Sequence, residues 1–174
     1  MLSAKRIDEA KSSVNSYISE GLLEKKSFQQ LVFDTYVRNH RESLSVARQI
    51  NTQNLSDLWV VITSYYSMFY IANAVLYKLG YKTGHRIAHK VTADALIVFV
   101  RNRLKDTLLE SYEVAADEAL TLSDSHIENF DLERTKRSRL QYETTDEIKH
   151  SAAETSLKRA EEFSAELEKV LNSL

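Results

Sequence analysis

The chain has no cysteine, no proline and only three glycines in 174 residues. Without cysteine there is no disulfide, no thiolate zinc site and no thiol nucleophile. Hairpins and sandwiches depend on turn residues that are scarce here, whereas helices joined by short polar linkers do not. The composition therefore predicts a chain that is nearly all helix. Neither sign of charge is in excess: 23 lysines and arginines face 25 aspartates and glutamates, for a formal net charge of -2. No overall field draws the chain to nucleic acid or to an anionic membrane, so such binding has to come from a local patch. The opening residues lack the basic-then-apolar pattern of a secretory leader, and the cytoplasm is the expected location. The length fits one domain able to enclose a core.

What the chain does have is one long uncharged run. Twenty residues from Leu58 to Tyr77 carry no charge, in a chain that is 28% charged. Two helical stripes run through it, one through Leu58, Ile62, Tyr65, Phe69, Asn73 and Leu76, the other through Trp59, Thr63, Tyr66, Tyr70, Ala74 and Tyr77. A helix apolar nearly all round belongs at the centre of a bundle or in a membrane. The mid-run tyrosines, serines, threonine and asparagine favour the bundle, and no membrane association is expected. Ser56 caps this central helix over about 57–79, and Gly80 ends it.

Other helices are expected around it, five to seven in all, in an up-and-down all-α bundle. The first covers about 3–18 through Ile7, Ala10, Val14, Tyr17 and Ile18, with Gly21 as its stop. Ser27 caps a second, with Phe28, Val32, Tyr36, Ala47 and Ile50 on its buried side. Residues 80–84, bracketed by glycines, form a loop before a helix over about 85–103, with Ile87, Val91, Ala95 and Val98 facing inward. Another covers about 106–122. Ser125 and Glu128 fit a capping box opening a segment toward Tyr142, and Thr144 and Glu147 fit a second that opens the last helix. The last stripe is Ala153, Leu157, Ala160, Phe163, Leu167, Leu171 and Leu174.

Three groups of residues could carry chemistry. Arg134, Lys136, Arg137 and Arg139 put four cations in six residues, and guanidinium forks suit phosphate oxygens. Tyr142 lies just beyond. The bland alternative is a solvated helix face with Glu133 and Glu143 as pairing partners. His85 and His89 are four apart, a spacing that could present two imidazoles to a metal, but no third ligand is visible and no metal is expected. Beside Lys82 and Arg86 at a helix start, His85, Arg86 and His89 make a better candidate anion site. Ser64, Tyr65, Tyr66 and Ser67 on the central helix read as a packing seam. No Ser-His-Asp order, phosphate loop or dinucleotide fingerprint is present, and no cofactor is expected.

The run from Ser64 to Tyr81, followed by Thr83, Gly84, His85 and Arg86, resembles the middle of HEPN domains (higher eukaryotes and prokaryotes nucleotide-binding). Arg137-Ser-Arg-Leu-Gln-Tyr142 resembles the arginine-bearing helix of that family. The likeness covers roughly 28–170 and implies a single HEPN-like helical domain over 1–174 of the small prokaryotic type, with the helix at about 3–20 as an addition. It further implies a homodimer that binds RNA or a nucleotide phosphate through Arg134, Lys136, Arg137 and Arg139. Such proteins work beside a nucleotidyltransferase-type partner in toxin–antitoxin or defence systems. Catalytic members are metal-independent ribonucleases in which a histidine follows an arginine by four to six residues. Here Tyr142 stands five beyond Arg137. Tyrosine, with an unperturbed pKa near about 10, is a poor base at neutrality. Cleavage would rest on Arg137 with Tyr142, or on an imported histidine such as His85. A non-catalytic protein-interaction module is the third expectation.

Overall fold

Gly21 and Gly80 do the same job at two distant points of the chain. Each is left-handed, at φ 70° and φ 91°, a conformation that only glycine adopts without strain. Each closes a helix and turns the chain into a three-residue strand. A computed structural model describes residues 2–135 and 148–174, with side chains given outside 124–135. In it α1 (Ala4–Ser19) leads through Gly21 into β1 (Leu23–Lys25), and α3 (Asp57–Lys78) leads through Gly80 into β2 (Tyr81–Thr83). The strands pair antiparallel, with Leu23 opposite Thr83, Glu24 opposite Lys82 and Lys25 opposite Tyr81. Backbone bonds from Lys26 to Gly80 at 2.9 Å and from Gly84 to Leu22 at 2.8 Å extend the pairing at both ends. Residues 80–84 were expected as a loop; they instead contain one strand of this ribbon. Sequence arguments about hairpins miss it because the two strands are not neighbours in the chain.

The rest is helix: α2 (Gln30–Thr52), α4 (Ala88–Phe99), a 3-10 turn at Arg101–Arg103, α5 (Asp106–Thr135) and α6 (His150–Asn172). Among the described residues there are six α-helices, packed as a bundle around α3, which touches α2, α4, α5 and α6. Ser56 caps α3 by accepting from the Trp59 amide at 3.4 Å, and Asp57 and Lys78 complement its dipole. Met68, Ala72, Ala74, Val75 and Leu76 have no exposed surface. Among the described helices α3 alone is long and apolar enough to cross a bilayer, but 67% of that stretch is buried inside the protein. Burying each large apolar side chain contributes about 1.5–3 kcal/mol, so α3 supplies much of the core.

Several boundaries differ from expectation. α2 starts at Gln30 because Ser27 is held outside it, its carbonyl accepting from the Tyr77 hydroxyl at 3.3 Å. Phe28 is thereby left 42% exposed rather than buried. α4 starts at Ala88, so His85 and Arg86 precede it and Ile87, expected inside, is 54% exposed. α5 runs straight through Ser125. Ser and Asp lower helix propensity by only tenths of a kcal/mol each, and without Gly or Pro that does not end a helix. α6 begins at His150; the Thr144 cap lies outside the described residues. Leu174, the end of the expected last stripe, is 39% exposed.

Candidate phosphate-binding end

The ribbon brings together two stretches more than fifty positions apart. Within 23–26 and 78–86 lie Lys25, Lys26, Lys78, Lys82 and Arg86, with Glu24 as the one acid. All five cations are exposed except Lys82, which is half-buried. Glu24 pairs with Lys26 at 2.6 Å, which lowers its pKa and raises that of the lysine. Glu24 also faces Lys82 across the ribbon, and this single acid is set against five cations. In a chain whose formal charge is -2, this is a local concentration of positive charge.

Aromatic rings border it. The Lys78 ammonium lies 4.8 Å from the Phe28 ring centre and 5.6 Å from that of Phe33. Phe28 packs against Phe33 at 5.6 Å and Tyr77 at 5.9 Å yet keeps an open face. Tyr81 stacks on Phe99 at 4.1 Å, fixing β2 to α4.

One buried side chain holds both ends of the connection that carries His85 and Arg86. Asn73 of α3 accepts from the Thr83 hydroxyl at 2.6 Å and donates to the Thr92 hydroxyl at 3.2 Å and the Phe69 carbonyl at 2.9 Å. Thr83 ends β2 and Thr92 lies in α4, so the intervening chain is pinned on either side. Between the pins, Ile87 sits in the left-handed region at φ 45° and caps α4 with no side-chain bond. A β-branched residue there is strained by roughly 1–2 kcal/mol.

The expected site residues are separated by this geometry. His85 and Arg86 are exposed on the connection. His89, one turn into α4, is half-buried among rings, 4.6 Å from Phe69 and 5.4 Å from Tyr65. The Tyr65 hydroxyl and His89 Nδ1 are 2.6 Å apart. Burial lowers the His89 pKa, and burial pushes that of the Tyr65 hydroxyl well up. His85 and His89 therefore do not share a helix face. Among the described residues no three histidines, aspartates or glutamates gather as metal ligands. The anion group thus reduces to His85 and Arg86, joined by the ribbon lysines. Arg134 falls near the end of α5, and Lys136, Arg137, Arg139 and Tyr142 lie outside the described residues.

A cleft of 560 Å³ between α1, α4 and α5 was not expected at all. Its floor is Asp94, whose oxygens take Arg6 Nη2 at 2.6 Å and the Tyr17 hydroxyl at 2.9 Å. Arg6 also donates from Nε to Glu113 at 2.9 Å. Burial alone would lower the Arg6 pKa, but the bonds to Glu113 and Asp94 outweigh it and hold the guanidinium charged. The available signal was a lone aspartate in the otherwise apolar run from Ala93 to Phe99. Around the rim, Glu9, Glu113 and Asp117 join Asp94 against Arg6 and Lys90, so the cleft repels a polyanion. Compared with known protein families, curated proteins and solved structures, the chain matches none.

Proposed function

We propose that the protein binds RNA or another phosphate-bearing nucleotide ligand, and that the ribbon end of the bundle is a contact surface for it. The observation that carries this reading is the pairing of β1 with β2, which gathers five cations beside an exposed phenylalanine. Lysines and arginine neutralise phosphates, and an open ring gives an unpaired base something to stack on. The arginine ridge at Arg134, Lys136, Arg137 and Arg139 supplies a second cationic stretch in the sequence. The resemblance of the central run and of the ridge to HEPN domains supports the same chemistry. It also supports a setting in which a nucleotidyltransferase-type partner accompanies the protein in a toxin–antitoxin or defence system.

The test is anisotropy of a labelled single-stranded RNA across a salt series, with no metal. Lys25→Ala, Lys82→Ala and Arg86→Ala together should weaken binding at least tenfold. They should also flatten the slope of log affinity against log salt by about 2, since each charge contributes roughly 0.7 on a single strand. Arg137→Ala with Arg139→Ala should flatten it further. No binding at low salt, or binding that ignores both sets of changes, would sink the reading. Electrophoresis of the same samples separates binding from cleavage, because a ribonuclease working through Arg137 and Tyr142 would shorten the RNA.

A further inference from the structure

The cleft between α1, α4 and α5 takes no part in the cationic ribbon. At 560 Å³ it falls within the range of ligand pockets, about 300–1,000 Å³. α4 packs on both α1 and α5 and lies between them. Ala93 of α4 and Ala116 of α5 are too short to fill the space, and with Leu120 they give it an apolar patch.

The polar side of the cleft is mostly carboxylate, and Arg6 does not use it up. Arg6 reaches Glu113 through Oε1 alone, so Glu113 Oε2 has no partner among the described residues. Asp94, only 1% exposed, receives Arg6 Nη2 on one oxygen and the Tyr17 hydroxyl on the other. Each oxygen keeps a second lone pair. Asp117 stands one turn beyond Glu113 on α5, exposed and in no ion pair among the described residues. Like charges so spaced on a helix repel each other. Glu9, on the opposite wall, has only Lys5 at 3.8 Å, a solvent-exposed pair of little strength.

Four carboxylates thus face two cations, Arg6 and Lys90, and the lining keeps a negative balance. His89 does not offset it, because burial lowers its pKa and leaves the ring neutral at pH 7.

We infer that this cleft binds a small organic cation, an amine or guanidine on an apolar body. Glu113 Oε2 and Asp117 receive the cationic head, and Glu9 adds its attraction from across the cleft. The apolar body covers Ala93, Ala116 and Leu120. Arg6 already shows the chemistry, since its own guanidinium is seated between Asp94 and Glu113. A contact of this kind is stronger in a partly enclosed cleft than on open surface. A bare metal ion fits less well, because among the described residues no three such side chains gather around one point. The cleft and the ribbon carry opposite charge, and this inference does not rest on the phosphate reading.

Amide chemical shifts of the isotope-labelled full chain test it. The probes are phenethylamine, phenylacetate as a similar body of opposite charge, and magnesium chloride, all at matched ionic strength. Phenethylamine should produce saturable shifts at Ser13, Ala93, Ala116 and Leu120, and the other two should not. Glu9→Gln with Asp117→Asn, both at exposed positions, should weaken binding roughly tenfold while the thermal midpoint stays in place. No saturable shift with phenethylamine overturns the proposal. So do equal shifts with phenylacetate or magnesium, and so does an affinity that the double variant leaves unchanged.

Discussion

His40 shows how a polar residue serves the interior of this bundle. Only 1% exposed, it places Nδ1 3.1 Å from the Ser67 carbonyl and 2.9 Å from the Ser67 hydroxyl. A carbonyl can only accept, so Nδ1 carries a proton. The ring's other nitrogen lies 3.7 Å from Glu168, within reach of an ion pair when the ring is protonated. Burial lowers the His40 pKa, against the opposing pull of the Ser67 carbonyl and Glu168. The unfolded chain, with an ordinary histidine near about 6.5, therefore binds the proton first as pH falls. The stability His40 supports is complete above that value and declines as pH drops through it toward the folded pKa. His89 acts in the same direction for the same reason. His150, exposed beside Asp57 at 2.7 Å, acts in the opposite one. Thermal melts from pH 7.5 down should show the midpoint falling below about pH 6.5, with a smaller fall in His40→Gln. A midpoint independent of pH, or one that rises on acidification, would contradict this account of the buried ring.

At the scale of elements, helix cores were legible and their ends were not. Ser56 caps α3 as expected, and Ser3, expected as the first helical residue, stands just outside α1 and caps it, each accepting an amide three residues on. The α3 stripe through Ile62, Tyr65, Asn73 and Leu76 and the α6 stripe from Ala153 to Leu167 point inward as their spacing requires, whereas the second α3 stripe leaves Trp59 exposed and Thr63, Tyr66 and Tyr70 half-buried. The ends failed where a distant contact overrode the local signal. Tyr77 holds Ser27 out of α2, and the ribbon pulls 81–83 into a strand. The left-handed Ile87 delays α4 until after His85, and no local rule foresees a β-branched residue at φ 45°. Ile87→Gly relieves that strain and gives up little burial. It should raise stability by up to about 1 kcal/mol, read as a higher midpoint in urea. A lower midpoint would mean that the Ile87 side chain, rather than its backbone, matters to the start of α4.

For the whole molecule, one buried helix dictates where chemistry can occur. α3 is enclosed on most sides, and along it Trp59, Thr63, Tyr66 and Tyr70 stay exposed or half-buried. The C-terminal end of α3 leads into the cationic ribbon, and the α1–α4–α5 cleft is walled by carboxylates. The ribbon end could be read only in part from the sequence. Lys82, His85 and Arg86 drew attention through their glycine brackets, but Lys25 and Lys26 joined them only through strand pairing across the fold. Tyr17, Arg6 and Asp94 escaped for the same reason, since each looks ordinary until α1 lies on α4. The measurement that bears most directly on the central claim is hydrogen–deuterium exchange with and without a single-stranded RNA at low salt. The account predicts slowed exchange in peptides covering 22–28 and 78–87 and none in the cleft peptides from α1 and α5. Exchange unchanged at 22–28 and 78–87 while RNA is bound would contradict it.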